Sequence, residues 1–153
     1  MPLFKSPRIA TRESTPPPTV RRLQIFVLFN GPQTTAIALR TAAAFVSGLG
    51  GDILIAAPQV VPYPLPLNCP SVDRRTVLAQ IKSAVAQAGI GCAIQKVLIA
   101  YTRNDRDGWS ALLPPHCIVV VGKPQRSSPL QRLHTWLTAR SLSKLGHEVL
   151  LAQ

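Results

Sequence analysis

Two stretches of this chain hold residue types suited to gripping an anion. The first is Asn30-Gly31-Pro32, which ends an apolar run. The second is Gly122-Lys123-Pro124-Gln125-Arg126-Ser127-Ser128-Pro129, which follows the apolar run from Cys117 to Val121. A helix N-terminus presents unpaired backbone N–H groups and the positive end of the helix dipole, so it suits a phosphate. In that setting Gly122 allows close backbone approach, Lys123 and Arg126 add charge, and Ser127 and Ser128 add hydroxyl donors. Asn30, beside Gly31, can hydrogen-bond a ribose or an adenine edge. The same residues also read as two tight strand-to-helix turns, the second with Ser128 as N-cap and Pro129 at the first helical position. Neither stretch is a P-loop, G-x-x-x-x-G-K-[ST], and the dinucleotide pattern G-x-G-x-x-G occurs nowhere in the chain.

Other chemistries find less support. The acidic residues are scattered, and Asp105 and Asp107 share a polar segment with Arg103 and Arg106. His116, His134 and His147 lack metal-ligand spacing, as do Cys69, Cys92 and Cys117. No G-x-S-x-G elbow is present. The residues assign no catalytic role and no metal site, and the expectation is a protein that is not an enzyme.

Charge points to anionic partners. Lys and Arg number 17 against 6 Asp and Glu, a net charge of +11. Residues 1–22 carry five of those basic residues and one acid, net +4, which leaves +7 spread along the rest. A basic surface attracts nucleic acid, acidic lipid or nucleotide. No aromatic residues interleave with the basic ones as they do on a single-strand binding surface. Residues 1–21, with their TPPPT, read as a disordered, basic, proline-rich arm, and order is expected from Arg22 onward. No apolar run reaches membrane-spanning length and the N-terminus has no secretory character, so a soluble, cytoplasmic protein is expected.

Stepping along the chain, LQIFVLF (23–29), DILIAA (52–57), CAIQKVLIAY (92–101), HCIVVVG (116–122) and HEVLLA (147–152) read as strands. Between them, Ile37, Ala38, Thr41, Ala42, Phe45 and Val46 fall at helical spacing, with Gly48 and Gly50 as stop signals. PQVVPYPLPLNCPS reads as an irregular loop. Ser71 can cap a helix faced by Leu78, Ile81, Val85 and Ala88, with Asp73 in its first turn. A short helix follows in the segment RNDRDGWSALLPP. The last helix carries Leu130, Leu133, Leu137 and Leu145 as its apolar face. Strands that alternate with helices and read as solid aliphatic runs predict an α/β three-layer sandwich with a five-stranded parallel sheet. In such sheets ligands bind past the carboxyl ends of the strands at the switch point, where the two junctions would meet.

That order, with VLFNGPQ, IALRTAAAFVSGLGGDILIAA, CIVVVG and ARSLSKLGHEVLLA, resembles the universal stress protein domain over residues 22–153. The resemblance implies a Rossmann-like, adenine-nucleotide-hydrolase-like topology and a regulatory or stress-response module. It also implies a homodimer paired through the last strand, here His147, Val149, Leu150 and Leu151. ATP-binding members of that family carry G-x-x-G, nine residues, then Gly followed by Ser or Thr. Here Gly122 fills the first position, Gln125 stands at the second, and Thr135-Trp136 replace the last pair. Asn30 stands where the family has an acid, and Ala100-Tyr101-Thr102 replace its third-strand glycine. The expectation is therefore a degenerate nucleotide site. Two alternatives stay open: an adenine nucleotide (ATP or AMP) bound as cofactor at the two junctions, or a basic accessory protein docking on nucleic acid or acidic membrane through its N-terminal arm.

Overall fold

Runs that are apolar at every residue leave no face for water, so they belong in a sheet that helices cover on both sides. The computed structural model describes residues 23–70, 72–90, 94–126 and 128–153, and it has that architecture. Along the chain come β1 (Leu23–Leu28), α1 (Pro32–Leu49), β2 (Gly51–Val60), α2 (Arg74–Ala88) and β3 (Ile94–Thr102). Then follow α3 (Asp105–Leu112), β4 (Ile118–Gly122), α4 (Pro129–Lys144) and β5 (Glu148–Ala152). The strands are parallel throughout, in the order β3-β2-β1-β4-β5. From β1 the chain steps to β2 and β3 on one side. It then crosses back to β4 and β5 on the other, which puts the switch point between β1 and β4.

Alternation along β1 divides the core into two layers. Ile25 and Val27 pack with Ala38, Leu39 and Ala42 of α1 and with Val77, Ile81 and Ala84 of α2. Phe26 and Leu28 face the other way, toward Trp109 and Leu113 at α3 and Leu142 of α4. The parallel three-layer sandwich read from the sequence is the fold of the chain.

Several local expectations are corrected. β2 continues through Pro58, Gln59 and Val60 into the proline-rich segment. β1 stops opposite Ala56, so at Pro58 only β3 remains as a neighbour and a missing N–H costs little on the open flank. α1 runs through Gly48 and is capped by Gly50. Phe45, expected inside, is 42% exposed, while Thr35 and Ala36 are buried. The N-cap of α2 is Asp73, whose carboxylate accepts from the Thr76 N–H at 2.9 Å and from the Thr76 hydroxyl at 2.6 Å. Those bonds hold the Asp73 carboxyl below its ordinary value. Ser71, Ser127 and the N-terminal arm lie outside the described residues.

α4 departs furthest from the sequence pattern. Leu130, Leu133 and Leu137 point away from the sheet, 77%, 50% and 47% exposed. The helix meets the sheet instead through Thr135, Ala139 and Leu142. Two of these three are small, and a count of large apolar residues does not register them.

Candidate functional site

After Leu28 the chain leaves the sheet. The Phe29 N–H still donates to the Ala56 carbonyl at 2.8 Å, and then Asn30 and Gly31 turn into α1. Gly31 takes φ +121°, a conformation that side-chain-bearing residues rarely adopt, and Pro32 opens the helix. The Asn30 side chain is held at both ends. Its Nδ2 donates to the Gly122 carbonyl at 3.2 Å, and its Oδ1 accepts from the Thr34 hydroxyl at 2.7 Å. The two junctions singled out in the sequence are thus joined to each other.

Gly122 answers to packing as much as to any ligand. A Cβ there would overlap the Thr34 carbonyl oxygen, so glycine is what lets the end of β4 lie against the first turn of α1. Beyond it, the Lys123 N–H donates to the Ala152 carbonyl at 2.7 Å and extends the β4–β5 pairing.

On the opposite face, α3 is only 8 residues long and sits over β2 and β3, while α4 lies toward β5. Between them a gap remains at the carboxyl ends of β1 and β4. The result is a groove of about 380 Å³ with Leu28, Phe29 and Val121 along its base. Asp105 and Trp109 form the α3 wall, and Gln131, His134, Thr135 and Thr138 form the α4 wall. Asn30 and Thr34 border its end, and Pro124 forms part of its rim. Asn104 caps α3 by accepting from the Asp107 N–H at 2.8 Å, which fixes the turn that carries Asp105. The Thr135 hydroxyl is satisfied within α4, donating to the Gln131 carbonyl at 3.0 Å. Neither lysine nor arginine is among the residues lining the groove; Asp105 is the charged one.

No family model matches the sequence, and no curated protein sequence matches it. Solved structures do match. A universal stress protein in complex with cAMP aligns over 86% of this chain and 97% of its own, with a TM-score of 0.53 at 15% identity. The fold is that of the universal stress proteins. A second such protein, from Archaeoglobus fulgidus, covers 86% of this chain at 13% identity, with a TM-score of 0.49.

Within this universal stress protein fold, the candidate anion residues separate. Asn30 borders the groove. Lys123 lines a different cavity of about 580 Å³ with Arg132, Trp136, Leu151 and Gln153. Arg126 lines a third, about 420 Å³, with Gln33, Arg40 and Gln87. Ser128 is spent locally as the α4 N-cap, accepting from the Gln131 N–H at 3.3 Å. Gln125 and Trp136 border these neighbouring cavities, and Thr135 borders both the groove and the larger one. Asp105 and His134 were not singled out as site residues in the sequence. They come from different helices, 29 positions apart, and no local motif announces them.

β5 is an edge of the sheet, as the resemblance implied. Val149 and Leu150 are half-buried and Leu151 is 38% exposed. His147 precedes the strand, and its Nδ1 lies 3.3 Å from Cys117 Sγ at the opposite end of the sheet from the groove. Burial there pushes the Cys117 thiol up to about 11. Among the described residues, no group of three or more His, Cys, Asp or Glu could hold a metal ion, and no described helix is long and apolar enough to cross a membrane.

Proposed function

We propose that this protein is a non-catalytic regulatory module of the universal stress type that holds an adenine nucleoside or nucleotide in the groove between α3 and α4. One observation carries the reading: the groove opens at the carboxyl ends of β1 and β4, the switch point of the sheet, where open parallel sheets bind ligands. The structural neighbour bound to cAMP supports the same ligand class. The lining favours a base and a sugar over a polyphosphate. An apolar floor and Trp109 suit a purine ring, and Asp105, Gln131, His134 and Thr138 offer partners for ribose hydroxyls and ring nitrogens. Lys123 and Arg126 line other cavities, so added phosphates meet the Asp105 carboxylate without a cation in the groove to offset it.

Calorimetric titration with adenosine, AMP, cAMP and ATP tests this. Adenosine binding as tightly as ATP, within about threefold, is the expected result. ATP binding more than tenfold tighter than adenosine would mean that the phosphates are gripped after all. Absence of heat from every ligand at millimolar concentration would end the reading.

The module is further proposed to work as a homodimer through β5. The outward backbone groups of that edge, beside exposed Leu151, are free to pair with a second copy.

A further inference from the structure

α4 is apolar on two sides. Toward the sheet it buries Thr135, Ala139 and Leu142. At about 100° per residue, Leu130, Leu133 and Leu137 fall in one stripe roughly opposite Thr135. They are 77%, 50% and 47% exposed, and Trp136 beside them is 50% exposed. Helices in proteins gain most of their stability by burying an apolar face. This one buries Leu142 with two small residues and leaves three leucines and a tryptophan largely in water. Four neighbouring large side chains approach the few hundred Å² of contiguous apolar surface that marks an interaction site.

The charge on α4 identifies what covers the stripe. Pro129–Lys144 contains Arg132, Arg140 and Lys144 and no acidic residue. The Arg140 guanidinium lies over the Trp136 ring, 5.2 Å from its centroid. A second copy of α4 laid on this face would bring the same cations together with no carboxylate on either helix, which opposes self-association there. An anionic surface has the complementary charge. On the same outward side, Leu130, Leu133 and Leu137 lie toward the start of the helix and Arg140 and Lys144 toward its end, with Trp136 at the edge beside Arg140. That is the composition of helices that lie in a bilayer interface, their apolar side sunk into the headgroup boundary and their cations on acidic lipid.

We infer that the outward face of α4 docks on an anionic membrane surface, with Leu130, Leu133, Trp136 and Leu137 as its apolar contacts and Arg140 and Lys144 as lipid-phosphate contacts. The helix lies on the bilayer and does not cross it. This contact is independent of the groove, whose α4 wall is built from Gln131, His134 and Thr138.

The test uses the full chain with vesicles of phosphatidylcholine alone and with about 30% phosphatidylserine. Sedimentation with the acidic vesicles, falling as salt is raised, is expected. The double variant Leu133→Ser/Leu137→Ser should bind about tenfold more weakly or worse. Both positions are exposed, so circular dichroism should show the fold intact. Trp136 emission should shift to the blue on acidic vesicles and be quenched by brominated lipid. Trp109, 6% exposed, stays silent in that measurement. Two results would overturn the inference: no retention on acidic vesicles, or retention that survives L133S/L137S and disappears on deleting residues 1–22. The second would assign the binding to the arm's charge alone. An acidic protein that bound the wild-type face while vesicles did not would overturn it as well.

Discussion

The amide of Asn30 donates to the carbonyl of Gly122 at 3.2 Å, joining the loop after β1 to the last residue of β4 across 92 positions of sequence. The bond spans the switch point of the sheet and forms one end of the groove. Because the Asn30 Oδ1 also accepts from Thr34, one side chain couples the end of β4, the β1–α1 turn and the first turn of α1. Removing it in Asn30→Ala leaves the Gly122 carbonyl to water, while the Thr34 hydroxyl keeps the Asn30 backbone carbonyl as acceptor at 3.1 Å. Urea denaturation should report a loss of about 1 kcal/mol, typical of a partly exposed hydrogen-bonding side chain. An unchanged midpoint would show that water substitutes fully for the latch.

Gly122→Ala should cost more. Its Cβ would meet the Thr34 carbonyl oxygen, which is helix backbone and cannot swing aside. Either α1 or β4 must shift, and overpacking of this kind costs about 1–3 kcal/mol. The measurement is the same denaturation midpoint, read beside Gly48→Ala, where a Cβ meets nothing within 4 Å. Equal effects at the two glycines would contradict the close contact.

Acid should weaken the base of the sheet. Burial first, and the neighbouring His116 second, hold the His147 imidazole below its ordinary value of 6.5. A base whose folded pKa is lowered binds fewer protons folded than unfolded. Its stabilising share is complete above pH 6.5 and is lost as pH falls through the folded pKa. The Tm should therefore drop between about pH 7 and pH 5, and His147→Gln should flatten that drop. The same slope in the variant would assign the sensitivity to another group.

Dimerisation can be tested at a single N–H. Glu148 donates to the Cys117 carbonyl, so by alternation the backbone groups of Val149 and Leu151 face away from β4. Leu151→Pro removes an outward donor and leaves the β4 ladder untouched. Light scattering should give a dimer for the wild type and a monomer for L151P. A dimer that survives the proline pairs through some other surface.

Much of the architecture was legible because buried parallel strands leave an unmixed aliphatic signature. Ile25 to Leu28 and Val119 to Val121 could hardly sit anywhere but in the middle of a covered sheet. Element faces were harder to read. On α4 the eye follows Leu130, Leu133 and Leu137, yet the buried face is Thr135, Ala139 and Leu142, two of them too small to stand out. The groove divided in the same way. Asn30 and Gly122 stand at strand ends, where local sequence marks them. Asp105 and His134 belong together only because a short α3 leaves a gap beside α4, and no local pattern encodes a gap. The basic residues after Gly122 looked like one cluster on paper; in space the loop sends Lys123 and Arg126 to opposite sides.

Pro124 stands where those sides divide, since its ring borders the groove and both neighbouring cavities. A partition common to three rooms cannot be pushed from one without changing the dimensions of the others. The space above β1 and β4 and the cleft beside β5 therefore share a wall, made by Pro124 and Thr135.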